Sequence, residues 1–186
     1  CMLASMMLLS NFALAQIQES EFNGGLLETF WRYVNPLGDC TQGMTGTQAR
    51  ITVPAGRSHD PYAPWGGNRA PRIVQQIAPP GTDFGDFDVY TRIDGVLDAQ
   101  YKMQGIEAIQ NTNNYVRCEI YSGADSLNAL LYTFDNNGLP TNTKVSVISG
   151  VPLGTTRLYL RLTRVVNTFY QYISTDGGTW IPKDSA

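Results

Sequence analysis

The stretch RLYLRLTRV, residues 157–165, decides the fold. Leu158, Leu160 and Leu162 fall on one side of an extended chain, and Arg157, Tyr159, Arg161 and Thr163 on the other. Successive side chains of a strand point to opposite faces, so a period of two marks a half-buried strand. The same reading applies at 115–122, where Val116, Cys118 and Ile120 oppose Tyr115, Arg117 and Glu119. It applies again at 169–174, where Phe169 and Ile173 oppose Tyr170 and Tyr172. Each segment has one apolar face, as in antiparallel sheets packed on a core from one side.

Working outward, further β-type runs are predicted at 26–33, 49–53, 72–78, 87–93, 99–109, 129–134 and 144–148. Strong punctuation separates them: Pro54-Ala55-Gly56, Pro79-Pro80-Gly81, Asn111-Thr112-Asn113-Asn114, Asp135-Asn136-Asn137-Gly138 and Asp176-Gly177-Gly178. No amphipathic helix longer than two turns is predicted. The fold class expected is all-β, an antiparallel sandwich or barrel. The 186 residues suit one domain. The 18 glycines, 10 prolines and 10 tyrosines fit a turn-rich β protein. Charged residues make up only 16%, with net charge −3 and no Lys/Arg block, so a phosphate-tracking surface is not supplied and no nucleic-acid partner is expected.

The N-terminus runs Met2-Leu3-Ala4-Ser5-Met6-Met7-Leu8-Leu9 to Phe12-Ala13-Leu14-Ala15, an apolar region closing on a small-x-small site before Gln16. It is shorter than the roughly 20 residues of a membrane-spanning helix. Residues 1–15 therefore read as part of a signal peptide and 16–186 as the mature domain. Its expected location is extracellular or periplasmic, without membrane insertion after cleavage. A lipid-anchored Cys1 and a buried N-terminal helix are the rival readings. Export leaves Cys40 and Cys118 in an oxidising compartment, where they either pair or remain two separate thiols. Two cysteines and the single histidine, His59, fall short of a tetrahedral metal site, so no metal ligand set is assigned. Asp83, Asp86, Asp88 and Asp94 offer oxygens to a structural Ca²⁺ but lack a defined loop spacing.

The face opposite the leucines is rich in Tyr and Arg. Flat rings and forked donors are what a sugar-binding surface uses; the same residues also make ordinary cross-strand pairs. The irregular stretch 54–70 holds Trp65, which reads either as a stacking platform or as part of a lid packed on the sandwich.

The ordered set Trp31, Asn35-Pro36, Gly38-Asp39, Val53-Pro54-Ala55-Gly56, His59-Asp60, Ala70-Pro71-Arg72 with Gln75, and Phe87-Asp88-Val89 carries a resemblance. It continues through Tyr101, Gln104-Gly105-Ile106, Asn114-Tyr115-Val116-Arg117, Leu158-Tyr159-Leu160-Arg161 and Ser174-Thr175-Asp176-Gly177-Gly178-Thr179-Trp180. This resembles the concanavalin A-like lectin/glucanase superfamily, closest to a secreted subfamily of unassigned function. That subfamily is similar to laminin-G-type domains and to the C-terminal sandwich of some β-xylosidases. The resemblance implies a two-sheet jelly-roll sandwich with a concave face, associated with secreted carbohydrate-active enzymes. It also implies further strands after the Asp-Gly-Gly-x-Trp turn, so a sandwich lacking C-terminal strands is expected.

Glucanases of that superfamily carry a Glu-x-Asp-x-x-Glu strand motif, which this sequence lacks. Glu107 and Glu119 flank the loop 111–114, and a four-residue loop would set Glu107 against Cys118 and the two glutamates on opposite faces. No catalytic residue is assigned on that reading, and Glu119, beside Arg117 and Arg161, reads as a surface ion-pair group or a sugar-hydroxyl acceptor. No Gly-x-Ser-x-Gly elbow or phosphate-cradling glycine loop is present. Ser174–Trp180 reads as a hairpin turn onto which Trp180 packs back. The expected function is a non-catalytic carbohydrate-binding or accessory module of a secreted protein, with a polysaccharide or oligosaccharide partner and a linked catalytic domain as an option. The candidate ligand contacts are Trp65, Gln104, Tyr115, Arg117, Glu119, Tyr159, Arg161, Tyr170 and Tyr172. A secreted glycoside hydrolase or lyase and a structural adhesion domain are the alternatives.

Overall fold

The alternating leucines do what their spacing requires. Leu158, Leu160 and Leu162 are buried against Val116, Cys118, Ile120, Leu127, Ala129 and Leu131 in one apolar core. Each fully buried leucine contributes about 1.5–3 kcal/mol of transfer free energy. The structure is a computed structural model that describes residues 17–61, 67–79, 83–135 and 139–186. The expected leader and Trp65 lie outside the described residues.

Twelve strands are formed, and no helix is present among the described residues. They are β1 (Arg32–Val34), β2 (Thr41–Met44), β3 (Ala49–Thr52), β4 (Arg72–Val74), β5 (Phe87–Ile93) and β6 (Met103–Ile109). The rest are β7 (Tyr115–Ser122), β8 (Leu127–Phe134), β9 (Pro140–Val147), β10 (Leu158–Val165), β11 (Thr168–Ser174) and β12 (Ile181–Ser185). Two four-stranded antiparallel sheets, ordered β12-β11-β10-β5 and β6-β7-β8-β9, enclose the core as a β-sandwich. Two ribbons, β1-β4 and β2-β3, accompany them.

The central strands match the sequence reading; the periphery differs for local reasons. The predicted run 26–33 yields strand only from Arg32, because a turn closed by Trp31 N–H to Glu28 O (2.9 Å) precedes it. The run 72–78 stops at Val74, where its three-residue partner β1 ends. The run 99–109 begins at Met103, after a turn in which Lys102 N–H bonds Ala99 O and Tyr101 adopts φ 64°. Strand β9 starts earlier than expected, at Pro140, past an irregularity in register at Thr133/Phe134.

Two strands were not anticipated. Thr41–Met44 is polar and glycine-bearing, and Ile181–Ser185 contains Pro182, a residue that sheets accept at their edges. The latter supplies an edge strand after the Asp-Gly-Gly-x-Trp turn, pairing with β11 through Ile173↔Ile181 and Tyr170↔Ser185.

Candidate functional site

Register in the β6–β7 hairpin overturns the expected placement of the two glutamates. The connecting loop is 110–114, five residues rather than four, with Gln110 N–H and Asn111 N–H both donating to Asn114 O at 3.0 and 3.2 Å. The Asn111 carboxamide oxygen accepts the backbone N–H groups of Asn113 and Asn114, each at 2.9 Å. Such a side-chain turn competes successfully with the ladder, so Ile109, not Gln110, faces Tyr115. Glu107 then lies opposite Arg117, and Gly105 opposite Glu119. Opposed residues share a face, and so do residues two apart along a strand. Glu107, Arg117 and Glu119 therefore stand on one face, the outward side of the β6–β9 sheet.

On that face a polar cradle is assembled. Arg117 grips Glu119 with two parallel bonds, Nε to Oε1 at 3.2 Å and Nη2 to Oε2 at 2.8 Å. Its Nη1 reaches Asp60 Oδ1 at 3.2 Å and its guanidinium lies 5.8 Å from the Tyr132 ring centre. Asn68 donates to Glu107 Oε2 at 3.0 Å and is itself held by Arg72 at 3.1 Å. Tyr115 is stacked on Phe134 (4.2 Å, 8°) and donates its hydroxyl to Pro61 O. Gly105 makes the room: a Cβ there would lie 2.2 Å from Cys118 O and 2.7 Å from Glu119 Cγ.

Asp60, Pro61 and Asn68 roof this face. Arg117 and Glu119 retain only 3% and 6% exposure, so Glu119 is not the surface group expected, nor is it near Arg161. Burial pushes both the Glu107 and Glu119 carboxyls above the ordinary range, against the pull of Arg117. Glu107 Oε1 is buried with no hydrogen-bond partner among the described residues. Sequence reasoning set Glu107 on the wrong face and missed Asp60, Asn68 and Tyr132. The Asn111-Thr112-Asn113-Asn114 run was the available signal for the first.

The candidates Tyr159, Arg161, Tyr170 and Tyr172 occupy the opposite outward face. Tyr159, Arg161 and Thr163 of β10 align with Arg92, Tyr90 and Asp88 of β5, and Arg161 and Thr163 with Tyr172 and Tyr170 of β11. Asp88 takes both Nε (2.7 Å) and Nη2 of Arg161, and the Thr163 hydroxyl at 3.1 Å. The Arg161 guanidinium carbon lies 5.5 Å from the Tyr172 ring centre and 5.6 Å from that of Trp180. Trp180 meets Tyr90 edge-on at 5.9 Å, and Tyr90 is 66% exposed. Trp180 is placed by the Ser174–Thr179 turn. There Asp176 Oδ1 accepts from Gly178 N–H (2.8 Å), Thr179 N–H (2.7 Å) and the Ser174 hydroxyl (2.8 Å), which holds the Asp176 carboxyl well below its usual range.

Gln104 belongs to neither face. It opposes Ile120 and so points to the inner side of β6, where its carboxamide fills the space beside Gly95. Cys40 and Cys118 are both free. Cys118 is in the core with its thiol toward Arg161 O (3.9 Å), whereas Cys40 lies beside Asp39. The acidic residues considered for Ca²⁺ are dispersed: Asp83 pairs with Arg164, Asp88 with Arg161, and Asp94 with Arg92 and Arg157, while Asp86 accepts the Val166 N–H. Asp39, Cys40 and His59 are the residues whose ligand atoms do converge, all within 4.8 Å of one another.

No family model and no curated protein matches the sequence. Among solved structures, the chain is similar to a mutant of the GH43 protein BlXynB from Bacillus licheniformis. The TM-score is 0.65 at 17% identity, covering 92% of this chain and 31% of that one. The likeness is one of fold: a β-sandwich related to one in that protein. The chain spans about a third of that protein's length.

Proposed function

We propose that this chain is a carbohydrate-binding accessory module of a secreted protein, related to the concanavalin A-like sandwiches found with carbohydrate-active enzymes. The reading rests on the outward-facing set of Tyr90, which is exposed, with the half-buried Arg161, Tyr172 and Trp180. A sugar offers C–H faces to aromatic rings and hydroxyls to forked donors and carboxylates. Here the rings stand beside a guanidinium already held by Asp88, so little side-chain freedom is lost on binding. Arg161 donates to Asp88 through Nε and Nη2, which would leave Nη1 to donate to a sugar hydroxyl. The likeness to a part of a GH43 protein agrees with a module working beside a catalytic domain.

Retention on insoluble plant, algal and bacterial polysaccharides, together with a glycan array, tests the proposal. Arg161→Ala and Trp180→Ala should each weaken binding at least about tenfold, equivalent to about 1.4 kcal/mol. A wild-type chain that binds none of these glycans, or variants that bind as well as wild type, would overturn it.

One observation favours a second reading, a glycoside hydrolase: Glu107 and Glu119 share a face and both hold their protons above the ordinary range. As diagonal neighbours across a strand pair their backbone positions are about 7–8 Å apart. Glu107, with one oxygen unpartnered, would be the acid and Glu119 the paired carboxylate. Turnover of a glycoside that vanishes in Glu107→Gln would establish it.

A further inference from the structure

Two segments far from the glycan platform meet at a cluster of mixed ligands. Asp39 and Cys40 precede β2; His59 follows β3. Asp39 Oδ1 lies 3.0 Å from His59 Nε2 and 3.5 Å from Cys40 Sγ. The edges of a tetrahedron with bonds of about 2.0–2.3 Å measure roughly 3.3–3.8 Å; these two edges lie close to that range, and the third, Cys40 Sγ to His59 Nε2, is within 4.8 Å. The His59 side chain is 7% exposed and Cys40 is 6% exposed, while Asp39 opens to solvent at 21%.

We propose that Asp39, Cys40 and His59 form a Zn²⁺ site, with the fourth position open to solvent on the Asp39 side. A thiolate, an imidazole and a carboxylate suit zinc and disfavour Ca²⁺ and Mg²⁺, which prefer oxygen alone. The count of soft ligands in the sequence fell short because it left out the carboxylate adjoining Cys40.

The surroundings supply what such a site requires. His59 Nδ1 is 3.1 Å from Arg57 O, the contact that fixes the ring so that Nε2 is presented to a metal. The second oxygen of Asp39 is steadied by Arg57 at 3.5 Å. Asn35 holds the Cys40 carbonyl at 2.8 Å. Zinc takes Cys40 as the thiolate, so binding releases the thiol proton to solvent and involves no redox change.

The position gives the ion a structural consequence. His59 is followed directly by Asp60, the carboxylate on Arg117. Zinc would pin the segment after β3 to the segment before β2 and so hold the roof of the cradle in place.

The test uses the full chain, reduced and freed of metal with a chelator, titrated with Co²⁺ as a spectroscopic probe and then with Zn²⁺. One equivalent of Co²⁺ should produce a thiolate-to-cobalt charge-transfer band, which Zn²⁺ abolishes by displacement. Cys40→Ser should remove the band, and His59→Ala should weaken Zn²⁺ binding by at least about 100-fold. Cys118→Ala should leave the band intact. Absence of the band in the folded wild-type chain overturns the proposal whatever the variants do. Its persistence in Cys40→Ser, or its loss only in Cys118→Ala, does the same.

Discussion

The two outward faces of the sandwich are built from the same kinds of residue and treat them in opposite ways. On the β6–β9 face, Arg117 is gripped by Glu119 and Asp60, lies beside Tyr132 and is almost completely buried. On the β5/β10–β12 face, Arg161 is gripped by Asp88, lies beside Tyr172 and Trp180 and remains in contact with water. Each is an arginine–carboxylate–aromatic set centred on a strand residue whose two chain neighbours enter the core. What differs is the roof. Asp60, Pro61 and Asn68 close over the first face, and nothing among the described residues closes over the second. Removing water raises the cost of an unpaired charge and shifts carboxyl groups upward; leaving water in place keeps a surface available to a ligand.

The largest expected effect breaks or upholds that contrast. Arg117→Met leaves Glu119 buried without its partner and should cost about 3–5 kcal/mol. Arg161→Met, on the wet face, should cost less than about 1 kcal/mol. Urea denaturation of both variants measures the difference, and equal losses would mean that the roof does not exclude water.

A smaller effect sharpens the buried side. The folded-state value of Glu107 is raised, so its contribution favours folding at low pH, where the group is protonated in both states. That contribution is lost as pH rises through the folded value. Glu107→Gln removes a charge that burial penalises while keeping an acceptor for Asn68. Its melting temperature should exceed that of wild type at pH 8 and converge with it near pH 4. A variant less stable than wild type at pH 8 would show that the ionised carboxylate is well compensated.

The smallest effect belongs to the exposed side and has the opposite sign. Asp83 is lowered to about 2 by the Arg164 hydrogen bonds and the Gly85 N–H. Its contribution is present above the ordinary 3.8 and lost as pH falls toward about 2. Asp83→Asn should flatten the acid limb of the thermal stability profile in that window and leave the rest unchanged.

Particular residues show why part of this was legible in the sequence. Leu158, Leu160 and Leu162, and Val116, Cys118 and Ile120, announce two core-facing strands because strand geometry has a period of two that no loop or partner alters. The bounds of β5 and β7 follow directly from it. The exposed Tyr/Arg set on β10 and β11 was visible for the same reason. Two short strands were not, since Thr41–Met44 and Ile181–Ser185 owe their extended form to the neighbour they pair with rather than to their own composition. The cradle was misread through a single residue of register: Asn111 folds its side chain back on Asn113 and Asn114, lengthens the turn, and moves Glu107 to the face of Glu119.

The sequence by itself determined that this chain is an all-β antiparallel protein, a sandwich or a barrel, with leucine- and valine-bearing inner faces, because alternation is a local property carried by each strand. Only the tertiary structure decided that Arg117 and Arg161 stand on opposite sides of the molecule, that Glu107 and Glu119 share a face, and that Asp39, Cys40 and His59 converge. Those facts depend on hairpin register and on which segments cross over which sheet. Both are set by contacts between residues distant in the chain, where no local periodicity records them.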